Sequence, residues 1–235
     1  MHLRRLLRNT LLLSRYNMKI IFANKFVWFV LASLGFFGFN MVSSVLQADV
    51  MGEGLVYGLM IFPAFLLIFY PTVYGIQNDD DMRILEILFG IPNYRYKVWL
   101  TRLCMVYVIV FVLLLLFGLI ASLLLYPIHP FEMAGQLFFP LLFVGNLAFY
   151  LSTQIRSGNG TAVVLVILGV FLMILGQFLN NTLWDVMLNP FDTPQNIHSL
   201  IWEQTIVKNR MFLVIGSIVF LLFGLLNLQK REKFV

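Results

Sequence analysis

Four acids, Asp79, Asp80, Asp81 and Glu86, crowd into NDDDMRILEILFGIPNYRYKVWLTRL, residues 78–103, together with Arg83, Arg95, Lys97 and Arg102. Groups of this kind can cap a helix or pair with the charges of a soluble partner. Other reactive types are sparse. His2, His129 and His198 are scattered and fall outside the apolar runs, so each reads as an interface or loop histidine. The single cysteine, Cys104, cannot form an intrachain disulfide and reads as a buried small hydrophobe. No HExxH or GxSxG pattern occurs, which argues against an intramembrane enzyme. No GxxxxGK[ST] phosphate loop occurs either, so ATP hydrolysis is not expected of this chain.

A second set of polar residues lies inside the apolar runs. Ser33, Asn40 and Ser44 share a helical face, Tyr70 and Tyr74 share one with Pro63, and Gln177 and Asn180 close a later run. Polar groups in a span face protein or a cavity. They either hydrogen-bond between helices of one subunit or line a path.

The elements that carry these residues follow from composition. Hydrophobic residues make up 60% of the 235 and charged ones 11%. A soluble domain holds roughly a quarter charged residues, so the natural solvent is a bilayer. The apolar runs are continuous, not alternating, which favours helices over a barrel. The expected fold is an all-α polytopic membrane protein forming a single transmembrane domain over 1–235. Residues 1–20 read as an amphipathic interfacial helix, with Arg4, Arg8, Arg15 and Lys19 on one stripe. Six spans are placed near 24–46, 54–76, 98–126, 133–154, 161–180 and 210–228. The stretch before Leu46-Gln47-Ala48 is too long for a signal-peptide core, so no cleavage is expected.

Of the 16 Lys and Arg, all but Lys208 and Arg210 fall on one side of this arrangement. The positive-inside rule puts that side, with both termini and the 78–97 segment, in the cytoplasm. The same rule accounts for the net charge of +5, and no nucleic acid is expected. The opposite side has short links except for 181–209, which mixes Trp184, Phe191 and Trp202 with acids, Asn and prolines. One or two short re-entrant helices covered by protein would suit it.

Within the charged segment, Asn78 or an aspartate can cap a short amphipathic helix reaching about Gly90, before Pro92. Met82, Leu85, Leu88 and Phe89 form its apolar side. The plainer alternative is a solvated loop. The pattern resembles the membrane subunits of ABC exporters of the ABC-2 type. Asp79 and Asp81 match the leading acids of their cytoplasmic loop, Leu85-Glu86 the Leu-Glu pair, Leu88 a following leucine and Pro92 the proline. Arg95 and Arg102 match later basic positions, while Arg83 and Ile84 stand where the family often has Gly-Thr.

The resemblance implies a coupling helix between the second and third spans that docks on an ABC ATPase subunit. Asp79, Asp81, Leu85, Glu86, Leu88, Phe89 and Pro92 would carry that contact. It implies ATP and Mg on the partner, no cofactor or metal on this chain, and a second permease, identical or homologous. Spans one, two and five would then surround a path, with Ser33, Asn40, Ser44, Tyr70, Tyr74, Gln177 and Asn180 as candidate lining. The expected cargo is amphipathic or hydrophobic: a lipid, a lipid-linked glycan or a drug-like molecule. The expected place is the cytoplasmic (inner) membrane. The competing reading is a non-transporting membrane anchor or assembly factor, which need not alter the activity of an ATPase.

Overall fold

The computed structural model describes residues 26–47, 50–77, 95–155 and 157–228, apart from the side chains of Arg95 and Lys97. The expected interfacial helix at 1–20 and the charged segment 78–94 lie outside the described residues. Among the described residues there is no strand.

Six helices of the described residues are long and apolar enough to cross a membrane: α1 (Phe26–Leu46), α2 (Glu53–Val73), α3 (Thr101–Leu124), α4 (Pro130–Gln154), α5 (Gly158–Leu179) and α6 (Ser199–Asn227). A π-helical turn, Arg95–Leu100, leads into α3. Helices apolar on all sides belong in a large core or a membrane, and here the outward faces of α1 and α5 carry Trp28, Phe39, Phe171 and Phe178. The chain is a multi-pass membrane protein.

Caps fix several helix starts. Pro130 opens α4, where its missing N–H is no loss. The Ser157 hydroxyl accepts from the Gly160 N–H at the start of α5.

The centre of the bundle is α4, which packs on α2, α3, α5 and α6. Half of the most apolar stretch of α2 and of α4 is buried, against 6% for α5, which rests loosely at the edge. The most extensive pairing, α4 with α6, depends on close approach. A Cβ at Gly216 would meet the Phe143 ring at 2.5 Å, and one at Gly224 the Phe149 ring at 2.8 Å. The main core joins Tyr57, Met60 and Leu67 of α2 to Leu114 and Phe117 of α3 and Leu137 and Leu141 of α4. Phe37 of α1 stacks on Phe117 at 5.2 Å.

Polar ties cross the bundle at three depths. The Ser33 hydroxyl donates to the Pro63 carbonyl at 2.7 Å. Tyr107 donates to Asn146 Oδ1 at 2.8 Å, and Asn146 Nδ2 donates to Ser217 Oγ at 2.6 Å. Asn227 Nδ2 donates to the Thr153 carbonyl at 2.6 Å. Each such bond contributes modestly in a bilayer, about 0.6 kcal/mol on average, but together they fix helix register.

The 181–209 link departs from the expected re-entrant helices. Residues 180–198 form turns, and from Ser199 onward the chain is already α6, capped by the His198 ring, which accepts from the Leu200 N–H. Asn181 turns the chain out of α5 with φ 61°, a left-handed conformation that Asn tolerates.

Candidate functional site

Three regions position the polar and apolar groups that could act. The first is the end where the 180–198 link lies over α2, α4 and α6. Here Arg210 of α6 is buried, and its guanidinium makes three contacts. Nε donates to Gln136 Oε1 at 2.9 Å, one terminal nitrogen donates to Asn209 Oδ1 at 2.9 Å, and the other to the Leu188 carbonyl at 3.4 Å. The Phe139 ring lies 5.6 Å from its central carbon. Asn209 in turn donates to the carbonyls of Leu183 and Asp185.

Asp185 is buried beside this group. Burial raises its carboxyl above the ordinary range, and the Met187 N–H and the Arg210 charge partly oppose that rise. The buried Tyr57 hydroxyl faces the same guanidinium but closes no hydrogen bond of good geometry among the described residues. Asn189 donates to the Gly54 carbonyl, and the Trp202 indole to the Pro190 carbonyl. With Val186, Leu188 and Trp202 buried, the link is packed against protein.

The sequence assigns Arg102 and Arg210 a membrane side at the ends of two spans and gives no direct sign of their burial. Both are buried, Arg102 with its guanidinium 4.9 Å from the Trp99 ring. The signal for Arg210 was its neighbour Asn209 at the foot of a long apolar run. Cys104, expected to be buried, is exposed on α3.

The second region is the opposite end. Gln77, beyond α2, accepts from the Gly158 N–H, and Tyr74 donates to Asn159 Oδ1 at 3.2 Å. These contacts tie the end of α2 to the start of α5, next to where the chain enters 78–94. The coupling candidates Asp79, Asp81, Leu85, Glu86, Leu88, Phe89 and Pro92 all lie outside the described residues.

The third region is a groove of about 370 Å³ between α2 and α5, floored by α4 and closed at one end by Val186 and Met187 of the link. Phe29 of α1 and Phe62, Phe65 and Phe69 of α2 form one wall; Leu165, Gly169 and Met173 of α5 form another. The candidate path residues do not line it. Ser33 and Ser44 are buried, Ser33 on Pro63. Tyr70 is buried, with ring centroids 5.0 Å from Phe29 and 5.4 Å from Tyr74. Asn40 is half-buried, and Gln177 and Asn180 are exposed near the end of α5.

No family model matches the chain, and no curated protein or solved structure does. What the site can do therefore rests on its own geometry. That geometry is a latched cap at one end, an apolar groove along the bundle, and a tied α2–α5 pair at the other end beside the charged segment.

Proposed function

We propose that this chain is the permease subunit of an ATP-driven ABC exporter of the ABC-2 type. It moves an amphipathic or hydrophobic substrate out of the cytoplasm or the inner leaflet. The observation that carries the reading is the charged pattern around Leu85-Glu86 and Pro92, placed between the second and third of six spanning helices. In this reading residues 79–91 are a coupling helix. Its leucines and Phe89 fill an apolar cleft on a separate ATPase, and its acids meet basic residues at the rim. Residues 1–20 lie in the membrane interface, both termini are cytoplasmic, and two permeases and two ATPases form the transporter in the cytoplasmic membrane.

Two features support the reading. The last two spans are joined by a longer link that caps the bundle. The chain entering the charged segment is anchored at α2, which is itself tied to α5, so a push there reaches two of the helices expected around a path.

The test is Leu85→Ala combined with Leu88→Ala. Truncating buried interface anchors typically costs about 2 kcal/mol or more. The ATPase should no longer co-purify in detergent and transport should stop, while the permease still inserts. Glu86→Ala should weaken coupling more than assembly. Normal co-purification and coupled ATP turnover in the double variant would return the segment to a solvated loop and favour an anchor or assembly factor.

A further inference from the structure

The groove between α2 and α5 is unusual in what it lacks. Among the described residues its only side-chain hydroxyl, on Thr72, already donates to the Ile68 carbonyl at 2.7 Å. The Met187 N–H at its closed end donates to Asp185. A buried water needs two to four polar partners, and of these groups only the Thr72 oxygen is left, to accept. A polar ligand meets the same obstacle. A void of about 370 Å³ also forfeits the packing contacts of every side chain around it.

The shape points to one occupant. The α2 wall runs from Phe62 to Thr72, about 15 Å at the helical rise. That is close to the hydrocarbon depth of one leaflet, about 15 Å. The rim residues Phe62, Val166, Val170 and Met173 are themselves exposed, so the groove opens sideways to whatever surrounds the bundle. For spanning helices that surrounding is lipid.

We propose that this groove holds one acyl chain of a bilayer phospholipid, wedged between α5 and the α2–α4 pair. The bound chain supplies the packing that α5, with 6% of its apolar stretch buried, does not get from protein. The site needs only a membrane and does not depend on the transport reading.

Gly169 gives the test its lever. A Cβ there meets nothing within 4 Å, so Gly169→Phe fills the groove without disturbing the backbone. Gly35 of α1 has equally open surroundings and lies away from the groove, so Gly35→Phe is the control. The full chain is reconstituted in nanodiscs with a phosphatidylethanolamine carrying a diazirine in one acyl chain, irradiated, and mapped by mass spectrometry.

Adducts are expected on Leu147, Leu165 and Leu168 of the groove. They should fall about tenfold in Gly169→Phe, a loss of roughly 1.4 kcal/mol of affinity, and persist in Gly35→Phe. Native mass spectrometry should show one retained phospholipid in the wild type and none in Gly169→Phe. Should that variant fail to fold, Val170→Trp at the exposed rim closes the same opening.

Labelling no stronger in the groove than on the outward Ile167 and Ile174, and unchanged by filling the groove, would overturn the proposal. So would inter-chain disulfides from a cysteine introduced at Gly169 in a Cys104→Ala background, which would put a second copy in the groove.

Discussion

Arg210 shows how a single side chain can hold a link in place. Its buried fork joins α6 to the half-buried Gln136 of α4 and to the Leu188 carbonyl of the link. Arg210→Met would leave the Gln136, Asn209 and Leu188 oxygens without their donor and Asp185 without a nearby positive charge. Leaving a buried polar group without its partner typically costs about 1 to 3 kcal/mol. The expected result is a lower melting temperature in detergent and rapid proteolysis near the exposed Gln195, where the packed wild-type link should be cut slowly. Arg210→Lys should recover only part of this, because an ammonium cannot reproduce the planar fork.

Asp185 adds a pH dependence whose sign is set by its raised pKa. The folded state holds its proton more tightly than the unfolded chain, so its burial costs least below the ordinary carboxylate value, about 3.9. Stability should fall as pH rises from there through the folded pKa. Asp185→Asn should flatten that slope in thermal unfolding scans, and an unchanged slope would remove Asp185 as its source. In the sequence Asp185 reads as a link acid and Arg210 as a charge at the end of a span, because nothing in it says that Gln136, Leu188 and Arg210 meet.

Among the elements, α4 and α6 are pressed together and α5 is not. Gly216→Leu and Gly224→Leu would each drive a side chain into a Phe ring. Overpacking of this kind typically costs about 1 to 3 kcal/mol, and the α4–α6 pair should separate first, seen as faster hydrogen exchange in both helices. In the wild type α5 should exchange faster than α4, since little protein covers it. The existence and approximate extent of all six helices were legible in the sequence, since each is a long apolar run with polar or turn residues at its ends. The start of the last helix was not. Residues 199–209 are mixed in polarity and read as link, yet they continue α6 because Trp202 and Asn209 find partners in the link folded over them.

For the molecule as a whole, both termini are expected on the cytoplasmic side. In intact cells cysteines placed at Ser14 and Lys233 should resist an impermeant thiol reagent, while one at the exposed Asn196 should react. Labelling at both termini would invert the topology. The sequence by itself determined the solvent, the helical class and the number of spans, because these depend on composition and run length, which are local. It also marked Leu85-Glu86 and Pro92 as a motif. Only the tertiary structure decided which polar residues are ties between helices: Ser33, a candidate for the path, bonds to Pro63 instead, and Asn146 bonds to Ser217. It alone placed Arg210 in a buried latch and opened an apolar groove beside α5. A groove is a gap between helices distant in the chain, and every residue lining it looks in sequence like any other membrane-facing side chain.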